Sequence, residues 1–196
     1  MSLGRQAKVL NRAQVHGLLG HLEHTRYPVR NRVIALLSLR AGLRAKEIAG
    51  LTWSMVTDSS GQVGSSIHLR DVASKGRSGR IIPLNRELRA ALVELHSSQE
   101  LSQMRSDRIV ATERGGTMSA RIIVHLFRRW YRDLGYDGCS SHSGRRTFVS
   151  ECARKIGQCG GSLRDVQQLA GHASLSTTQK YIAQDVKAQK RVIDLL

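Results

Sequence analysis

A chain of 196 residues with 40% hydrophobic content carries enough apolar side chain for one domain, or one large and one small. Its formal net charge is +16, from 31 Lys plus Arg against 15 Asp plus Glu, which points to a polyanion as partner. No apolar run reaches the length of about 18 residues that a membrane span needs, and no signal-peptide pattern opens the chain. The three cysteines, Cys139, Cys152 and Cys159, are odd in number and unpaired in spacing. They read as free thiols of a reducing compartment rather than a disulfide framework or a zinc site.

The first helix is predicted over about Asn11 to His24, with Asn11 as N-cap and Val15, Leu18, Leu19 and Leu22 at helical spacing. A second runs from about Pro28 to Ala41 and is broken by Gly42. A third, short one covers Ala45 to Leu51. From Thr52 to Leu84 the character changes: glycines at 61, 64, 76 and 79 punctuate short runs such as SSIHLR and GRIIPL. This stretch is predicted as a small antiparallel sheet, with Lys75 in a turn between two strands.

Helices then return. Asn85 is expected to cap one to about His96, and Ser119 another to about Leu134, with Ile123, Leu126, Phe127, Trp130 and Leu134 on one apolar face. A further helix is expected from about Ser143 to Ile156, followed by a glycine-rich loop at 157–161. SLRD (Ser162 to Asp165) has the form of a capping box that opens the next helix, and Ser176 is expected to cap a short one presenting Tyr181. The fold class is thus α+β, mainly α-helical with a small antiparallel β-sheet. Residues 1–10 read as a leader or expression remnant, 11–182 as the catalytic domain, and 183–196 as a C-terminal tail with an apolar cluster at Val192, Ile193, Leu195 and Leu196.

Four segments carry chemistry: AGLRAKEIAGLTW (41–53), ASKGRSGRIIPL (73–84), HSGRRTFVS (142–150) and LAGHASLSTTQKYI (169–182). They hold Arg44, Lys75, His142, Arg145, His172 and Tyr181. Two arginines provide planar, permanent cations that match phosphate oxygens. Histidines and a lysine donate hydrogen bonds and move protons near neutral pH. A tyrosine hydroxyl is a weak nucleophile until a cationic surround stabilises its anion. Glu47 lies one helical turn beyond Arg44, placed to hold its guanidinium. His142 and Arg145 are likewise one turn apart, so both are expected on one face of a helix start, with Arg146 pointing elsewhere.

With these residues in place, the chain resembles the catalytic domain of the tyrosine recombinase/phage integrase family, in the style of Xer recombinases and mobile-element integrases. The segment at 41–53 resembles the family's first arginine box, 142–150 its His-x-x-Arg box, and 169–182 its Leu-x-Gly-His…Tyr box. The likeness runs from about Asn11 to Ala183. Lys75 matches the family's hairpin lysine less closely, since Arg70, Arg77 and Arg80 lie nearby. Family members usually carry a helical core-binding domain ahead of this one.

The resemblance implies site-specific cleavage and rejoining of double-stranded DNA through a 3′-phosphotyrosyl intermediate. Tyr181 would be the nucleophile, Arg44 and Arg145 the stabilisers of the transition state, His142 and His172 hydrogen-bonding or proton-transferring partners, Lys75 the general acid and Glu47 a support. It implies no cofactor and no metal, a homotetramer on DNA, a monomer away from it, a tail exchanged between protomers, and a cytoplasmic, nucleoid-associated setting in a bacterium or phage. The alternatives are a type IB topoisomerase and a non-catalytic DNA-binding module on the same frame.

Overall fold

The computed structural model describes residues 7–70, 79–101, 106–112 and 115–181. Within them the chain forms eight α-helices and a two-stranded sheet: α1 (Arg12–Glu23), α2 (Pro28–Arg40), α3 (Ala45–Gly50), β1 (Ser66–Leu69), β2 (Arg80–Pro83), α4 (Arg86–Leu101), α5 (Ala120–Asp133), α6 (Ser143–Lys155), α7 (Leu163–Ala170) and α8 (Leu175–Gln179). No helix among the described residues is long and apolar enough to cross a membrane.

The central element is α2. Every residue from 33 to 39 is buried, so the helix is covered all round, and α1, α4 and α6 pack against it. It meets α6 closely at Gly144, which has no side chain where a Cβ would collide with the Ser38 hydroxyl. α1 starts as its sequence predicts: Asn11 accepts from Gln14 N–H at 2.8 Å, and the Gln14 side chain accepts from Asn11 N–H at 3.0 Å. Ser162 and Asp165 likewise pair at the start of α7, where Asp165 accepts from Ser162 N–H at 2.7 Å and from its hydroxyl at 2.8 Å.

The sheet is antiparallel, with Ile67 opposite Ile82 and Leu69 opposite Arg80. Alternation puts Ile82 in the core and Ile81 outside. The register therefore turns Arg80, two residues before Ile82, toward the protein interior. The predicted turn holding Lys75 lies outside the described residues, as does the tail beyond Tyr181.

Several local expectations are revised. α4 runs to Leu101 rather than stopping near His96, because tertiary contacts carry it through a Ser–Ser pair of modest helix propensity. Gln99 accepts from Trp53 Nε1 at 2.9 Å and donates to the Ile109 carbonyl at 3.1 Å, and the His96 ring meets Trp53 edge-on. The apolar face of α5 includes buried Tyr131, stacked on Phe127, which the sequence pattern does not single out. Burial, and then the neighbouring Cys139, pushes the Tyr131 hydroxyl well above its ordinary pKa. The last helix begins at Leu175 with Ser174, not Ser176, at the N-cap: Ser174 has the extended backbone a cap needs, and its hydroxyl pairs with those of Ser176 and Thr177.

The core divides in two. A large cluster spans α1 to α5, and a small one, built on Val149, Val166 and Ala170, joins α6 to α7 and takes in the half-buried Tyr181 ring. The candidate site lies where the small cluster meets the large one.

Candidate active site

Each functional side chain has a local cause. Gly42 ends α2 at φ +64, and a Cβ there would run into the Phe148 ring of α6. The turn aims the Gly42 carbonyl at Arg145 and sets Arg44 at the start of α3. Glu47, in the first turn of α3, is 1% exposed. Its four acceptor positions are filled: Oε2 takes Arg44 N–H at 2.8 Å and Arg80 Nη2 at 3.1 Å, while Oε1 takes Arg44 Nη1 at 2.9 Å and Arg80 Nη1 at 3.1 Å. Burial by itself would raise this carboxyl. The hydrogen bonds and charge of Arg80, then those of Arg44, outweigh it and hold the group below its ordinary value, so it is ionised at neutral pH.

Arg80 also donates from Nε to the Leu169 carbonyl at 3.0 Å, and Arg145 donates from Nη2 to the Ala170 carbonyl at 2.7 Å and from Nη1 to Gly42 at 2.6 Å. Two guanidinium groups from distant segments thus cap the C-terminal end of α7, where helix carbonyls are short of donors. Gly171 follows in the left-handed conformation at φ +62, and a Cβ there would lie 2.8 Å from Arg80 Nη1. Both the turn and the close guanidinium call for glycine at this place.

The electrostatics follow. Arg145 is 4% exposed, and the carbonyls that hold it are neutral. Burial, then the charge of Arg44, lowers its pKa to about 10, so it remains a cation at neutral pH but an incompletely compensated one. His172 is driven down to about 4 by burial and then by Arg145, Arg44 and Arg80. Its ring is therefore neutral at pH 7 and does not titrate near neutrality as the sequence suggests. Its Nδ1 pairs with Thr178 Oγ1 at 2.9 Å, which leaves Nε2 for a ligand. An anion placed here would offset the repulsion among these cations.

The structure brings Arg44, His142, Arg145, His172 and Tyr181 to the wall of one open cleft of about 460 Å³, shared with Ala7, Ser140, Arg146, Thr177 and Lys180. His142, exposed, occupies the N-cap of α6, so the first turn of that helix borders the cleft. The Tyr181 ring stacks on His172 with centroids 5.5 Å apart and planes 21° apart. Glu47 sits behind the cleft against Arg44, as its spacing predicts. Lys75 lies outside the described residues, so its place relative to the cleft is not part of this geometry.

Two residues emerge that the sequence does not assign. Arg80 is a buried link between Glu47 and α7, and its signal was the shared strand face with Ile82. Arg146, expected to point away, instead faces the cleft with its guanidinium 5.6 Å from the Tyr181 centroid. Its long side chain is drawn there by the Ala7 carbonyl, which accepts from Nη1 at 2.6 Å. Residue 7 is remote in sequence, so spacing within the helix does not disclose this contact.

The fold is that of tyrosine recombinase catalytic domains. The crystal structure of XerA recombinase matches 100% of this chain and 65% of its own at a TM-score of 0.71 and 23% identity. The Tn1549 transposon integrase in complex with circular intermediate DNA matches 96% of this chain and 67% of its own at a TM-score of 0.76 and 19% identity. The chain belongs to the phage integrase family, whose model matches residues 8–188. It is similar to tyrosine recombinase XerC of Yersinia pestis, with 31% identity over 166 residues covering 85% of this chain and 52% of that protein. XerC of Brucella suis biovar 1 (strain 1330) is 28% identical over 166 residues, covering 84% of this chain and 50% of that protein. The chain spans about half the length of the curated relatives it matches.

Proposed function

We propose that this chain is the catalytic domain of a site-specific DNA recombinase that breaks and rejoins strands through a 3′-phosphotyrosyl bond at Tyr181. The observation that carries this reading is the incompletely compensated positive charge of Arg145 and Arg44 in one cleft with Tyr181. A phosphodiester is the anion that two guanidinium forks fit. Tyr181 Oη attacks the phosphorus, the 5′-oxygen leaves, and the DNA 3′-phosphate stays on the tyrosine. Arg44 and Arg145 stabilise the charge that builds on the non-bridging oxygens. Neutral His172 offers Nε2 to the phosphate or to the phenol proton, and His142 adds a second hydrogen bond from the lip of the cleft. Lys75 is assigned the proton for the leaving oxygen. Attack by another strand's 5′-hydroxyl reverses the step, so the bond energy is retained.

The partner is double-stranded DNA, in keeping with the charge of +16. The chain acts as a homo-oligomer on it, a tetramer, in the cytoplasm of a bacterium. Solved neighbours include XerH bound to its difH substrate and a lambda integrase dimer bound to a core site. The experiment is a pool of nicked duplexes with a randomised core, incubated with the wild-type chain and with Tyr181→Phe and resolved on a denaturing gel. A covalent adduct in the wild type that is absent from the variant is the expected result. DNA binding with no Tyr181-dependent adduct from any sequence would leave a binding module. Sequence-independent relaxation of supercoiled plasmid would mark a topoisomerase.

A further inference from the structure

Tyr181 is weakly held by its own backbone. It follows α8, a helix of 5 residues, and its N–H reaches back to the Thr178 carbonyl at 3.0 Å. So short a helix does not fix a side chain by itself. The ring is placed by what touches it: the small hydrophobic cluster of α6 and α7 on which it packs, His172, already assigned to the chemistry, and the guanidinium of Arg146 within cation–π range at 5.6 Å. The other end of that guanidinium is anchored to the Ala7 carbonyl at 2.6 Å.

Ala7 belongs to a strap with anchors of its own. Lys8 N–H donates to the Gly138 carbonyl at 3.0 Å, and Leu10 N–H donates to Thr147 Oγ1 at 2.9 Å. The Lys8 stem lies over Gly138, where a Cβ would come within 2.8 Å of it, and Leu10 is 3% exposed. The strap is thus seated on α6 and on the loop before it, and Arg146 is the side chain that joins it to the tyrosine.

We infer that Arg146 is a positioning residue that couples the Tyr181 ring to the Ala7–Leu10 strap, so that the seating of the strap sets how well the tyrosine is held for attack. This inference rests on Tyr181 being the nucleophile, and one of its two readouts does not depend on that assignment.

The test uses the full chain with Arg146→Met, Arg146→Lys and Thr147→Val. The first readout, without DNA, is nitration of Tyr181 by tetranitromethane, followed by mass spectrometry with Tyr136 as internal reference. The second is single-turnover adduct formation at saturating DNA, with the dissociation constant measured separately. Arg146→Met is expected to speed Tyr181 nitration at least about threefold, with Tyr136 unchanged, and to slow adduct formation about tenfold or more. DNA affinity should change less than about threefold, and Arg146→Lys should restore most of the rate. Thr147→Val, which takes the acceptor from Leu10 N–H, should raise nitration less and add nothing to Arg146→Met in the double variant.

Weaker affinity in Arg146→Met, with a salt slope smaller by about one and a normal rate at saturation, would make Arg146 a phosphate contact and overturn the inference. Unchanged nitration would overturn it as well, and additive nitration in the double variant would refute the coupling through Arg146. If the wild type forms no adduct, the recombinase reading fails while the nitration result still decides whether Arg146 holds the ring.

Discussion

Replacing Glu47 with glutamine keeps the shape of the side chain and removes the carboxylate charge that pairs with both Arg44 and Arg80. The Glu47 side chain is 2% exposed and that of Arg80 is 6% exposed, so the substitution takes the charge from one side of a buried ion pair. Breaking a buried pair from one side costs about 3–5 kcal/mol. Arg44 is 37% exposed, recovers water, and adds less than about 1 kcal/mol. The glutamine amide also points N–H groups at guanidinium donors, so the loss is expected at about 4 kcal/mol. At about 2–4 °C per kcal/mol for a chain of this size, the midpoint of thermal unfolding should fall by about 8–16 °C. Urea and thermal unfolding followed by circular dichroism at pH 7, without DNA, measure it. In a double-mutant cycle, Arg80→Met should cost about 1–3 kcal/mol less in the Glu47→Gln background than in the wild type. A loss under about 1 kcal/mol, or strict additivity, would refute the view that Glu47 and Arg80 form a buried pair supporting the cleft.

Arg145→Ala should lower adduct formation at least about a hundredfold, the usual cost of losing one preorganised donor to a developing anion, and near-normal cleavage would place the phosphate elsewhere. Without DNA, unfolded His172 takes up its proton near its ordinary value of about 6.5 and the folded ring resists until about 4. The unfolded chain therefore binds more protons in that window, and stability falls as the pH drops through it, at up to about 1.4 kcal/mol per pH unit. His172→Gln should lose that part of the slope, and an identical slope in unfolding experiments at pH 6.5 and 4.5 would contradict the neutral buried ring. Gly171→Ala, strained at φ +62 and set against Arg80, should cost more than about 1 kcal/mol in urea unfolding, and a neutral result would mean that Arg80 has room to move. DNA affinity should weaken steeply with salt, by a logarithmic slope of about 0.9 for each phosphate contacted, and a dissociation constant unchanged between low and moderate salt would exclude charge-driven binding.

Local rules were legible in the sequence because their causes are local. Asn11 with Gln14, Ser162 with Asp165, and the glycine after α2 fix helix ends within a turn, and the amino-acid order states them outright. The apolar spacing of α1, the alternation around Ile82, and the turn between Arg44 and Glu47 belong to the same class. Resemblance of the boxes then joined Arg44, His142, Arg145, His172 and Tyr181, which no single periodicity does. What the sequence leaves open are contacts between segments far apart in the chain, which depend on how α6, α7, β2 and the strap come to rest. The clip of Arg80 from Glu47 to Leu169 and the reach of Arg146 from Ala7 to Tyr181 are of this kind. So is the neutral state of His172, because burial and the summed field of three arginines exist only once the two cores have met.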